Sequence, residues 1–176
     1  MLQGRLKYLM CQKLIKGVLL SLCLIGTSAS AETTREALNN FGLVGTWSTD
    51  CSMDVEKQVG FRGTYTAPMF GPAVYVAMQR QADNRTIFIK KEVERAVRIT
   101  DEKIQVTVKP LEHKINGADA LRSTEETSST FVVTFQKINS KLRTIDSRSQ
   151  DGKHIGVEGG RFNNGNMTPF LERCLN

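Results

Sequence analysis

The chain has 176 residues, of which 40% are hydrophobic, and this length is sufficient for one domain with a packed core. It carries 24 Lys and Arg against 18 Asp and Glu, but four of the basic residues lie in the first 31 positions, which leaves 20 against 18 in residues 32–176. The resulting net charge of +2 argues against a nucleic-acid-binding protein, because such proteins present a clearly basic surface.

The first 31 residues have the pattern of an export signal. Four basic residues precede the apolar stretch 17–26, and the small residues Ala29 and Ala31 follow it. The apolar stretch is too short to span a bilayer as a stable helix. We therefore predict a signal peptide that begins at Met1 or Met10 and is cleaved after Ala31. Residues 32–176 then form a single periplasmic or secreted domain with no membrane span.

The cysteines agree with export. Cys11 and Cys23 lie in the predicted signal, which leaves Cys51 and Cys174 in residues 32–176. An even pair of cysteines in an oxidising compartment normally forms a disulfide. We expect this pair to be bonded across 123 positions.

One short helix and a series of strands are predicted. Thr33 and Glu36 have capping-box spacing at the start of "TTREALNN", which predicts a helix there. Later segments alternate with period two, so that apolar residues share one face of each predicted strand, and Pro110 is expected to end one of them. The residues that share a face are Val74, Val76 and Met78; Ile87 and Ile89; Ile104, Val106 and Val108; and Phe131, Val133 and Phe135.

Turn signals separate these strands at short intervals. They occur near Gly71, Ala82, Thr100, Asn116, Asn139, Asp151 and Asn163. This spacing is typical of antiparallel sheets and allows about eight to ten strands. A sandwich and an up-and-down barrel both fit. We predict an all-β fold in which a single antiparallel barrel of about eight strands follows the short helix.

The stretch "FGLVGTWSTDCS" adds a resemblance. Gly45-Thr46-Trp47 on the first strand, after a short helix, and Arg161 in "GGRF" on a late strand resemble the lipocalin and wider calycin pattern. The resemblance implies that Trp47 closes one end of an eight-stranded barrel and that Arg161 packs across it. The Cys51–Cys174 bridge would then tie the first strand to the tail. "GTWSTDC" and "TPFLERC" are also similar to small exported proteins of Gram-negative bacteria.

No catalytic or metal-binding pattern is present in the sequence. His113 and His154 have no partner at a metal-ligand spacing, and on a strand His154 and Glu158 would be too far apart to form a tight ligand pair. No serine or cysteine has a motif that would activate it. Charges of mixed sign, as in "IKKEVERAVR", predict a solvated face. We therefore expect no enzyme activity, no metal and no cofactor.

The glycines of "GVEGGR" have a structural interpretation. No helix follows them to bind a phosphate at its N-terminus. Gly156, Gly159 and Gly160 are therefore expected to permit a bend or a bulge in a strand.

Two functional hypotheses remain. The first is a binding module whose barrel takes a small hydrophobic or amphipathic molecule. Its candidate lining residues are Val106, Val108, Phe131, Val133 and Phe135. The second is a protein-interaction module, such as an inhibitor of an exported protease or lysozyme, or an envelope-associated factor. Met69 and Phe70, between two prolines, and the arm 32–40 are its candidate contact residues.

Overall fold

The short helix predicted at "TTREALNN" is present in a computed structural model, which describes residues 32–120 and 129–175. It is α1 (Thr34–Phe41), and its capping box is complete: the Glu36 amide donates to the Thr33 hydroxyl, and the Thr33 amide donates to the Glu36 carboxylate. Gly42, in the left-handed region at φ 75°, ends the helix. The export signal predicted for residues 1–31 lies outside the described residues.

Most of the remaining described chain is extended. The strands are β1 (Gly45–Ser48), β2 (Gly60–Thr66), β3 (Ala73–Arg80), β4 (Thr86–Thr100), β5 (Lys103–Ile115), β6 (Ala118–Asp119), β7 (Phe131–Ile138), β8 (Lys141–Ser149), β9 (Val157–Glu158), β10 (Arg161–Phe162) and β11 (Glu172–Cys174).

The sheet is antiparallel and strongly curled. Its order is β11-β1-β2-β3-β4-β5-β7-β8, with β6 paired to the end of β5 and with β9 and β10 forming a separate hairpin. This half-barrel of eight strands confirms the predicted all-β, barrel-like fold with a helix before the first strand. The two edges of the sheet meet at Leu142 and Leu171, whose backbones exchange hydrogen bonds of 2.9 and 2.7 Å.

Residues 154–171, here called the closing segment, lie along the free edge of β8. The Gly160 amide donates to the Ile145 carbonyl at 2.8 Å, and the buried Arg143 guanidinium donates to the Gly160 carbonyl at 2.6 Å. A Cβ on Gly160 would lie 2.2 Å from an Arg143 nitrogen, and Gly160 has φ 75°. A side chain at position 160 would therefore be strained and would displace Arg143, so glycine permits this bend, as expected from "GVEGGR".

Two strands add to what the sequence predicted. Val74, Val76 and Met78 share one face of β3 as predicted, and this face is the outer one, since Tyr75 and Ala77 point toward the inside of the curl. The prediction that a strand ends at Pro110 is wrong: β5 continues to Ile115, because the register shifts opposite Lys90 and Lys91 and this bulge accommodates the proline.

The core joins the helix to the inner face of the sheet. Ala37, Leu38 and Phe41 of α1 belong to the same buried cluster as Ile104 and Val106 of β5. The predicted disulfide between Cys51 and Cys174 is confirmed. Such a bond is consistent with an oxidising extracellular compartment. In the described ranges, 32–120 and 129–175, no helix is long and apolar enough to cross a membrane.

Candidate ligand-binding cavity

The inner face of the curled sheet encloses a cavity of about 240 Å³. Its walls are mainly apolar and aromatic, and they include Trp47, Phe61, Tyr65, Tyr75, Val108, Val133 and Phe135. The closing segment completes the wall with Val157, Phe162, Thr168, Pro169 and Leu171. A protein cavity of about 150 Å³ takes up benzene. By that scale, the cavity here has room for a molecule of about ten non-hydrogen atoms.

The structure separates the five predicted lining residues into two groups. Val108, Val133 and Phe135 line the cavity. Val106 is fully buried in the solid core beneath it, and Phe131 packs against the edge of that core. A ligand-binding role for these residues stays a prediction.

Two tyrosines form one side of the cavity. Tyr65 and Tyr75 are directly opposite each other on β2 and β3, their rings stack at 4.4 Å, and the edge of Phe135 meets Tyr65 at 6.0 Å. Phenols are protonated at neutral pH, and burial raises the pKa of both further, so both hydroxyls are available as donors. Neither hydroxyl has a hydrogen-bond partner among the described residues.

Lys91 is a cation in this apolar wall. It lies on β4 directly opposite Tyr75, two residues after the cavity-lining Ile89, and it lines the cavity itself. Its ammonium is 5.6 Å from the centre of the Phe131 ring. Within residues 32–120 and 129–175 it makes no ion pair and no hydrogen bond. Burial lowers the pKa of Lys91, because removal from water disfavours the charged form.

The sequence-based candidates did not include these polar groups. Lys91 lies within "IKKEVERAVR", whose mixed charges predicted a solvated face. The alternation of Ile87 and Ile89 could have indicated that Lys91 faces the cavity, because Lys91 is the next residue on the same face of the strand.

Trp47 is part of the cavity wall. Its indole is 2% exposed and donates to the Leu43 carbonyl at 2.9 Å. Trp47 also borders a shallow depression on the outer surface, together with Lys137 and Arg173. Trp47 therefore lies between the cavity and this depression, and its closing of a barrel end stays a prediction.

The arginine beside Trp47 differs from the one that the resemblance indicated. Arg173 of β11 is in register with Trp47 and donates to the Val44 carbonyl at 3.0 Å. Arg161 is exposed on β10 and donates to the Gly165 carbonyl at 3.0 Å. Arg161 therefore does not pack across Trp47, and Arg173 is the arginine in register with it, because β11 is the strand that pairs with β1.

His154 lies closer to acidic side chains than its spacing in the sequence predicted. Its Nε2 is 3.2 Å from a Glu158 oxygen, and its Nδ1 is 3.0 Å from an Asp146 oxygen. The prediction that His154 and Glu158 would be far apart assumed a straight strand, whereas the chain turns at Gly156, where φ is 80°. In the part of the chain that the structure describes, no three His, Cys, Asp or Glu side chains are arranged to hold a metal ion.

Met69 and Phe70 lie on the surface, in the loop between β2 and β3. Their exposed fractions are 71% and 86%. These side chains therefore do not cover the end of the barrel. A partner-binding role for them stays a prediction.

Comparisons with models of protein families, with curated proteins and with solved structures find no match to this chain.

Proposed function

We propose that this protein is an exported, periplasmic binding module for a small hydrophobic or amphipathic molecule. The observation that carries the proposal is the cavity of about 240 Å³ on the inner face of the sheet, with its apolar and aromatic walls. Cavities of this kind, with a few polar groups among apolar residues, are the usual form of small-molecule sites. The disulfide and the signal-like N-terminal segment support export.

Native mass spectrometry of the protein, purified without detergent from its own source, is the direct test. A reproducible additional mass that disappears on denaturation is the expected result. A neutral probe of suitable size, octanamide, serves as a second test. Burial of its alkyl chain, about seven carbons at about 0.8 kcal/mol each, gives about 5–6 kcal/mol. We therefore expect a dissociation constant near or below about 1 mM.

A pair of variants locates the binding. Val133→Phe adds a ring to the cavity and is expected to weaken octanamide binding at least tenfold by titration calorimetry. Val132→Phe makes the same change on the opposite face of β7 and is expected to leave binding unchanged. A bare mass together with no octanamide binding, or equal effects of the two variants, would contradict the proposal.

The exposure of Met69 and Phe70 favours a second candidate function, inhibition of an exported lysozyme or protease. Phe70→Ala is expected to abolish inhibition of lysozyme or of a secreted protease. Because the ring is on the surface, the substitution is expected to change the free energy of unfolding by less than about 0.5 kcal/mol. If the unmodified protein inhibits neither enzyme, this candidate fails.

A further inference from the structure

The wall of the cavity contains a row of three polar side chains that make no hydrogen bond or ion pair with any described residue. Tyr65, Tyr75 and Lys91 are adjacent across β2, β3 and β4, and all three line the cavity. Neighbouring strands are about 4.8 Å apart, so the three side chains leave the sheet side by side. All three can donate hydrogen bonds, and none of them has a hydrogen-bond acceptor within the described ranges.

The ammonium of Lys91 is the unusual member of this row. The Lys91 side chain is half-buried, and a charge removed from water is costly unless a partner compensates for it. The Phe131 ring, 5.6 Å away, is near the outer limit of about 6 Å for a cation–π contact, so it does not replace a counter-ion. Burial is the cause that lowers the pKa of Lys91, and no charge among the described residues offsets it.

The backbone holds Lys91 in this position. On one side it is opposite Tyr75, and on the other it is opposite the buried Pro110 at the shift in register between β4 and β5. A bulge of this kind sets the direction of a side chain and is common beside functional sites.

We propose that the cavity binds a small organic acid of about ten non-hydrogen atoms, whose carboxylate is held by the ammonium of Lys91, next to the tyrosines in the same wall. Its apolar body lies against Val108, Val133 and Phe135. This proposal rests on the proposed function and specifies its ligand class. A carboxylate suits the row because it only accepts hydrogen bonds, and its charge is the counter-ion that Lys91 lacks.

Octanoate and octanamide test the proposal because they have nearly the same shape and differ in charge. The fluorescence of Trp47, the only tryptophan of the chain, reports binding because its indole borders the cavity. At pH 7 and low salt, we expect octanoate to bind at least tenfold more tightly than octanamide, a difference of about 1.4 kcal/mol. Lys91→Met is expected to remove this preference, and Lys91→Arg to retain most of it.

Lys90→Met is the matched control, because Lys90 is the preceding residue of β4 and faces the opposite side. It removes the same charge from the protein and is expected to leave the preference for octanoate unchanged. Lys91→Met is expected to melt at or above the wild-type temperature at pH 7. The lowered pKa means that the charged Lys91 destabilises the fold below that pKa, and this penalty disappears as pH rises toward the ordinary value of 10.5.

The outcomes separate this inference from the proposed function. Equal binding of octanoate and octanamide, or equal loss in Lys90→Met and Lys91→Met, overturns the organic-acid proposal but leaves the cavity as a binding site. No binding of either probe overturns both. A preference for octanoate that depends on Lys91 and not on Lys90 supports the inference.

Discussion

Replacement of both Cys51 and Cys174 by serine is expected to lower the free energy of unfolding by about 5 kcal/mol. The bond closes a loop of 123 positions. In the chain-entropy account, opening a loop of this length gives the unfolded chain about that much additional freedom. Small domains have only about 5–15 kcal/mol of stability in total. The measurement is urea unfolding followed by circular dichroism.

Besides the disulfide, the strand that carries Cys174 is held by a short strand pairing and by the Leu142–Leu171 hydrogen bonds before it. β11 pairs with β1 over only three positions, Thr46 to Ser48. At the Cys51 end, the Arg62 guanidinium donates to the Cys51 and Met53 carbonyls. These hydrogen bonds hold the loop after β1 even when the disulfide is absent.

The wild-type protein treated with a reductant is the control for the double serine variant. Its midpoint in urea should match that of the variant, since both lack the same bond. A loss below about 1 kcal/mol in both would contradict the prediction, because it would show that strand pairing alone holds β11 in place.

Trp47→Ala is expected to cost about 3–5 kcal/mol, because it removes a large buried side chain from a packed wall. The indole is 2% exposed and belongs to the main hydrophobic cluster. Its loss also leaves the Leu43 carbonyl without the 2.9 Å hydrogen bond from Nε1. Thermal and urea unfolding followed by circular dichroism would measure the effect.

Trp47→Phe separates packing from hydrogen bonding. It keeps an aromatic ring in the wall and loses the Nε1 donor, so a smaller cost of about 1–2 kcal/mol is expected. If the alanine variant were as stable as the phenylalanine variant, the indole would not be part of the core, and the end-closing position of Trp47 would lose its support.

The fold was predictable from the sequence where one face of a strand is clearly apolar and the other polar. β5 is such a strand, with Ile104, Val106 and Val108 inside. β3 is not, because Tyr75 and Ala77 are as compatible with an interior as Val74 and Val76. Its apolar alternation therefore did not tell which face is inside.

The cavity was predictable only in part. Val108, Val133 and Phe135 follow from apolar alternation, whereas Lys91 contradicts the rule that charged residues face water. The position of residues 154–171 was harder to predict, since this segment completes the cavity wall with bends and isolated hydrogen bonds and has no strand periodicity. That Arg173 and not Arg161 lies beside Trp47 depends on which late strand returns to β1, and local sequence does not encode this pairing.

The pairing of β1 with β11 has a consequence for how the protein folds. In a growing chain, Cys51 is made 123 residues before its partner, so its thiol remains unpaired while strands β2 to β8 are completed. Contacts between such distant residues form late, because a long loop must close before they can form. Thiol oxidation takes seconds to hours, whereas hairpins form in microseconds. Strands β1 to β8 can therefore pair first, and the disulfide then joins the two ends of the domain in a separate, slower step.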